Sequence, residues 1–308
     1  MNPPKEGIYP DLPFTEYQSW EAVNNSLLDI IIQYTPAHAK AYLDGPREET
    51  DAFRIGHALH TRVLEPDKFK ERYAIRPECD RRTKDGKAVY EDFIKTLDGK
   101  TEITVSEIAD IEAMNKVLKS KGFIRNWVEK GQAEVCIVWQ DVQTGLICKA
   151  RLDYYQKTIN AIVDLKTTIK TAGYDDVAAY IYRYSYYQKA AWYCDGLKAL
   201  IGEMPDFVFM FLEKKPPYEC RAWQASDDII VAGRKAYRKA LQIYAECVKT
   251  GVWPGWPDRV DIVTMPQWAL NKAGVGQYNL ISEDQENGTD RKFTGTEVDW
   301  NELESEAK

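Results

Sequence analysis

Between Gln132 and Thr168 the apolar spacing of the chain changes, and that change constrains the fold more than any other feature. The segments "AEVCIVWQ", "LICKARLDYYQK" and "AIVDLKT" are rich in β-branched and aromatic residues, and "DVQTG" and "KTIN" between them carry turn residues. Parallel neighbours need a crossover of about a dozen residues or more, so three strands linked this tightly form an antiparallel meander. A helical period follows over roughly Asp175 to Leu197, then strands in "DFVFMFLEK" and "YECRAWQ". A helix from Asp227 to Thr250 ends ahead of Pro254 and Pro257.

Upstream of the meander the spacing is helical. "NNSLLDIIIQYTPAHAKAYLDG" predicts a short helix capped by Asn25 or Ser26 and a second helix or turn opening at Pro36. "DAFRIGHALHTRVLEP" puts Phe53, Gly56, His60 and Val63 on one face of a helix that stops before Pro66. "CDRRTKDGKAVYEDFIKTL" predicts a basic loop entering a helix. "VSEIADIEAMNKVLKS" predicts another helix, with an approximate capping box between Ser106 and Asp110. The fold class is therefore α/β, a sandwich with a helical N-terminal elaboration. We expect one domain over 1–271, with its helical part at about 20–130 and its core at about 131–256. A flexible acidic tail is expected over 272–308.

Composition narrows the function classes. The 308 residues are 44% hydrophobic and 29% charged, the profile of a soluble globular chain. No apolar run approaches the roughly 18 residues of a membrane span, and the N-terminus lacks a basic start or apolar stretch, so a cytoplasmic location is expected. Six scattered cysteines without a C-x-x-C pattern predict buried free thiols rather than a zinc or iron–sulfur site. The net charge of −7 does not exclude a nucleic-acid partner. Residues 283–308 hold nine acids and three bases, which leaves 39 acids and 38 bases in the body. A neutral body can carry a basic groove. The tail is either a docking peptide or a solubilising terminus.

One strand carries charges that its neighbours do not explain. In "IVDLKTT" the apolar Val163 and Leu165 face one side, and Asp164 and Lys166 the other. In the preceding strand Lys149, Arg151, Asp153 and Tyr155 share a face, which a hairpin brings alongside Asp164. Two converging carboxylates repel each other and need a cation between them. A lysine beside them can hold or help deprotonate a water on that cation. A surface ion pair at a frayed strand end is the plain alternative for an isolated D-x-K.

The pattern is not isolated. An acid one hairpin upstream, then D-x-K, then a helix bearing "YSYYQKAAWY", resembles the PD-(D/E)XK nuclease superfamily, with Leu152 where that pattern has proline. "GHALH" is similar to the G-x-x-x-H element of its RecB-like branch, and Gln188 with Tyr193 is similar to that branch's Q-x-x-x-x-Y. The closest resemblance is to the RecE family, the exodeoxyribonuclease VIII type of phage recombination exonuclease. It rests on "SLLDIIIQYTPAHAKAYL", "RRTKDGK", "KARLDYY", "IVDLKTT" and "YRYSYYQKAAWYCDGL", over about Asn24 to Trp256.

The resemblance implies a restriction-endonuclease-like core, a central mixed sheet flanked by helices. It implies His60, Asp153 and Asp164 as metal ligands with the Leu165 carbonyl as a fourth, Lys166 as the catalytic lysine, and Gln188 as an orienting residue. Gly56, one turn before His60, would let another backbone approach. Glu134 corresponds to an extra acid of lambda-type exonucleases, or is a solvated strand-end charge. Arg81, Arg82, Lys84 and Lys87, with Gly86 among them, are positions for phosphate contact or a solvated basic loop. Arg54 is a position for a terminal phosphate, and Arg151 and Tyr193 complete the expected DNA-binding set. The tyrosines from Tyr180 to Tyr187 are expected mostly in helix packing. His57 and His38 are expected to stand apart from the site.

Oxygen ligands with one imidazole suit Mg²⁺, with Mn²⁺ able to substitute. The resemblance further implies 5′→3′ digestion of linear double-stranded DNA and a 3′ overhang passed to a RecT-type annealing protein. A homo-oligomeric ring and a phage or prophage origin in a bacterial cell are implied as well. Two other readings stay open from the residues: an endonuclease on the same core, and a non-catalytic DNA-end-binding module.

Overall fold

The meander expected over 132–168 forms the middle of a six-stranded mixed sheet. The structure is a computed structural model; it describes residues 1–45, 51–122 and 130–274, with main chain alone at 51–53. The Phe53 side chain and the tail from 275 onward lie outside the described residues.

In chain order the first unit contains β1 (Gly7–Tyr9), α1 (Phe14–Ser19), α2 (Asn25–Gln33), α3 (Pro36–Asp44), α4 (Asp51–Leu64), α5 (Phe69–Arg72) and β2 (Tyr73–Ile75). Then come α6 (Lys84–Lys95), β3 (Thr101–Ile103), α7 (Val105–Ser120), β4 (Gln132–Gln140), β5 (Ile147–Gln156) and β6 (Ala161–Thr168). The unit closes with α8 (Tyr174–Arg183), α9 (Tyr186–Ile201), β7 (Asp206–Glu213), β8 (Cys220–Gln224) and α10 (Asp227–Thr250). The large sheet runs β1-β4-β5-β6-β7-β8; its neighbours are antiparallel except β6 and β7, which are parallel, and β2 and β3 make a separate parallel pair. The first unit spans Met1–Trp256; a second, Pro257–Lys308, contains α11 (Gln267–Lys272).

Helices cover both faces. Phe207, Phe209 and Phe211 of β7 point to the side of α2, α8, α9 and α10, while Val208, Met210 and Leu212 point to the side of α4 and α7. A strand buried on both faces has no polar side, which is why "FVFMFL" shows no alternation of hydrophobicity. On the first side Trp192, Tyr237 and Leu28 are fully buried; on the second, Leu59, Ile111 and Met114. The α/β sandwich is as expected.

Local details differ from the expected ones. Asn24, not Asn25 or Ser26, caps α2, its side-chain oxygen accepting from Leu27 N at 2.9 Å. The capping box of α7 is Thr104 with Glu107, two residues ahead of the expected start. The single helix expected over 175–197 is two, because Ser185 takes a left-handed backbone (φ 52°) between α8 and α9 and its hydroxyl accepts from Gln33 Nε2 at 2.9 Å. Breaking the helix there sets the direction of α9, and α9 carries a side chain that matters below.

Candidate active site

The site forms where β5 and β6 part. Their ladder pairs Gln156 with Ala161, Tyr155 with Ile162 and Tyr154 with Val163, and ends there. Beyond it the Leu165 amide donates to Asp153 Oδ2 at 3.0 Å, so a carboxylate takes the place of the next main-chain partner. Leu165 O meets His60 Nε2 at 2.9 Å. Both main-chain groups on that edge of Leu165 are thus satisfied by side chains.

Why Asp153 can reach this gap is visible in the faces of β5. Leu152 and Tyr155 lie in the same core, three residues apart, while Tyr154 lies in the other, so alternation slips at Asp153. The facing strand slips at the same level. Ala133 packs toward one core and Val135 toward the other, and Glu134 between them has φ 54°. The ladder pairs Ala133 with Tyr154 and Val135 with Leu152 and skips Glu134 and Asp153.

Asp164 is fully buried on the α9 side of β6, opposite the apolar Val163 and Leu165. Its Oδ2 makes an ionic contact with Lys166 Nζ, without hydrogen-bond geometry, and its Oδ1 accepts from Lys189 Nζ. Lys166 Nζ is also 3.9 Å from Asp153 Oδ2, and Lys189 Nζ is 3.6 Å from Asp153 Oδ1. His60 Nδ1 is 3.7 Å from Asp153 Oδ2. Two acids and two ammonium groups form one cluster, with the imidazole at its edge.

Burial and charge oppose each other in this cluster. Burial pushes the Asp153 carboxyl up, but Lys189, then Lys166 and His60, together hold it well below the usual carboxylate range. Burial lowers Lys166 against the pull of Asp164, and Lys189 beside it adds to the lowering. Burial acts the same way on Lys189, yet Asp153 and Asp164 raise it well above the usual lysine range. Two rings flank the ammonium groups: Tyr186 lies 5.2 Å from Lys166 Nζ, and Tyr193 lies 4.9 Å from Lys189 Nζ. Burial pushes the Tyr186 hydroxyl up to about 12.

His60, Asp153, Asp164, Leu165 and Lys166 are thus brought together. Gln188 is not part of this cluster. It is fully buried and its amide donates to Asn25 Oδ1 at 3.3 Å. The α9 residue at the acids is Lys189, which the sequence reading missed. The signal was present: Lys189 is four residues before Tyr193 and three after Tyr186, one stripe of a helix, whereas Gln188 is five from Tyr193. Tyr193 is buried beneath Lys189, so it does not offer a DNA-facing ring.

The remaining expected positions fall elsewhere. Glu134 accepts from Arg151 Nε at 2.5 Å, and with His60 and His57 the pair lines a cavity of about 160 Å³. Arg151 Cζ lies 4.9 Å from the Phe14 ring, and His57 also packs edge-on to Phe14. His57 therefore shares the cavity with His60 instead of standing apart. His38 stands apart, its Nδ1 2.7 Å from the Thr35 hydroxyl. Arg54 donates to Glu107 at 2.6 and 3.2 Å and to Glu102 O at 3.0 Å, so its fork holds α7 rather than an open phosphate position. Arg81 lies over the Tyr90 ring, Arg82 pairs with Asp80, and Lys84 and Lys87 are exposed on α6 rather than in a loop.

Both glycines act differently from expectation. A Cβ at Gly86 would lie 2.0 Å from Asp80 O, so its close approach is to its own chain; at Gly56 a Cβ would meet nothing within 4 Å. Of the tyrosines, Tyr182 and Tyr184 are exposed and Tyr180, Tyr186 and Tyr187 are half-buried against the core. All six cysteines are free, five of them buried and Cys79 half-buried.

The donor set suits a hard divalent cation: two carboxylates, a main-chain carbonyl and one imidazole. Two ammonium groups supply, next to the acids, the charge that one such ion would bring. Among the described residues no group of three or more His, Cys, Asp or Glu is drawn together as a metal cluster. The geometry explains this, because Asp164 faces the two lysines while His60 is held by Leu165. The residues present fit such an ion.

Comparison with known proteins agrees with this architecture. Residues 20–266 match a family model described as a PDDEXK-like domain of unknown function (DUF3799). A solved structure of a candidate exonuclease from Eubacterium rectale aligns at 15% identity and a TM-score of 0.60, over 85% of this chain and 98% of that one. At that identity the likeness is one of fold. A second solved structure, SSO0001, aligns at 12% identity over 75% of this chain and 87% of that one with a TM-score of 0.27, and carries no argument. No curated protein matches.

Proposed function

The chain belongs to the family of PDDEXK-like domains of unknown function (DUF3799), and from that membership we propose that it is a divalent-metal-dependent exonuclease acting on linear double-stranded DNA. The observation that carries the reading is the convergence of Asp153 and Asp164 on Lys166, with the Leu165 carbonyl and His60 at the same gap. Asp153, Asp164 and the Leu165 carbonyl would hold the ion, with His60 as a further ligand, and Mg²⁺ is the ion they suit best, with Mn²⁺ as substitute. When bound, that ion supplies Lewis acidity to a phosphate oxygen and to the attacking water.

The chain's own residues do the rest. Lys166 lies beside both acids, and burial loosens its hold on its proton relative to an exposed lysine, so the amine exchanges a proton with the attacking water more readily. Tyr186 shields that amine from bulk water on one side. The resemblance to RecE-type enzymes supports 5′→3′ polarity, a 3′ overhang handed to an annealing protein of the RecT type, and a ring-shaped homo-oligomer enclosing the duplex.

The test is a linear duplex labelled separately at each 5′ and 3′ end, incubated with Mg²⁺ or Mn²⁺ beside a closed circle. Release of the 5′ label first, with the circle intact, is the expected result. Cutting of the circle would replace the exonuclease reading with an endonuclease. Binding of ends without any loss of label in either metal would remove catalysis altogether.

A further inference from the structure

The cluster holds one cation more than a D-x-K strand provides. Lys166 belongs to the strand; Lys189 comes from α9, and its side chain is only 18% exposed. The two ammonium groups divide the carboxylate oxygens between them. Lys189 takes Asp164 Oδ1 and lies near Asp153 Oδ1, while Lys166 takes Asp164 Oδ2 and lies near Asp153 Oδ2. A divalent ion shared by the two acids needs oxygens that are already committed.

The lysines differ in what else holds them. Lys166 Nζ has a second partner on its own strand, Leu165 O at 3.4 Å, and the Tyr186 ring. Apart from the acids, Lys189 has the Tyr193 ring. Its stem enters from a separate helix, α9, so its charge is not carried by the strand that bears Asp164.

We propose that Lys189 is a resident counter-cation which holds Asp153 and Asp164 together in the metal-free protein and which an incoming divalent ion must displace, so that Lys189 sets the metal affinity of the site. The inference rests on the metal-dependent reading above and adds a residue to it. Lys189 is a positioning residue that acts through the two acids. Its prediction runs opposite to that of a simple structural residue, because its removal strengthens metal binding while weakening the metal-free fold.

Calorimetric titration with MnCl₂ tests this on the full chain, for the unaltered protein, Lys189→Met and Lys189→Arg, each also melted in EDTA. Removing a like charge a few ångströms from the ion is expected to tighten Mn²⁺ binding about tenfold or more in Lys189→Met. The same variant is expected to melt earlier in EDTA and to be rescued by Mn²⁺. Lys189→Arg is expected to keep the parent's melting temperature and weak affinity. Lys189→Gln, also neutral, takes the place of Lys189→Met if the latter does not fold, with the same tightening expected. Unchanged or weaker Mn²⁺ binding in a folded neutral variant overturns the inference and leaves the metal-dependent reading standing. No Mn²⁺ binding by any of the proteins overturns both.

Discussion

Asp164 and Lys166 are two residues apart on one strand, yet their roles separate. Asp164 is wholly buried and offers oxygens to a cation; Lys166 is itself a cation. Asp164→Asn keeps the shape of the side chain and removes its charge, so Mn²⁺ binding by calorimetry and hydrolysis of duplex DNA are both expected to be lost. Lys166→Ala is expected to lose hydrolysis and keep most of its Mn²⁺ binding. Equal loss of metal in the two variants would contradict the assignment. At this scale the sequence was informative about strand residues and less so about helix residues. Alternation places Asp164 and Lys166 together with no knowledge of the rest of the fold. A helix turns by about 100° per residue, so choosing Gln188 over Lys189 moves the expected side chain off the site, to Asn25. Asp153 was legible as an acid on the hairpin, but the slip in alternation that aims it into the gap comes from two strands acting together, and no single segment encodes it.

Elements are fitted to each other at a few close contacts. A Cβ at Gly233 on α10 would lie 1.9 Å from the Tyr187 carbonyl on α9 and 2.8 Å from Ala191 Cβ. Alanine gains about 1 kcal/mol in helix propensity over glycine, but overpacking costs about 1–3 kcal/mol and a main-chain obstacle cannot rotate away. With the cost at the top of that range, Gly233→Ala is expected to lose about 2 kcal/mol net, read as a lower urea midpoint at unchanged slope.

The start of α7 makes a second case. The Arg54 guanidinium, with the Thr104 cap, holds Glu107 down to about 2. An unfolded glutamate titrates near about 4.3, so the folded form gains stability from Glu107 above that value. The gain is lost as pH falls through about 2. Glu107→Gln is therefore expected to lower the melting temperature fully at pH 6 and progressively less toward pH 2. Existence and order of these helices were legible from spacing; their starts were off by one or two residues, because the caps Asn24 and Thr104 precede the first helical residue and are polar, so the apolar period does not mark them.

Across the molecule, the described helices include none long and apolar enough to cross a membrane, and the six thiols are free. Burial raises Cys136 to about 12 and pushes Cys148 and Cys194 up as well. Thiolates are the reactive form, so Ellman's reagent is expected to titrate Cys79 alone in the native protein and all six after unfolding. Rapid native reaction of more than one thiol would show that the core is looser than described. The scattered cysteine spacing predicted this, because buried free thiols need no pairing partner. Sheet order was harder to read. The antiparallel meander follows from its short turns, but the parallel pairing of β6 with β7 requires knowing that α8 and α9 return along one face.

The gap between β5 and β6 is closed at Leu165 by a carboxylate and an imidazole where main chain would ordinarily continue. A seam stitched by side chains has no spare thread. Whatever draws Asp153 or His60 toward a guest also frees the amide or the carbonyl that each was fastening. Any displacement of either side chain is therefore felt first at the main chain of Leu165 itself.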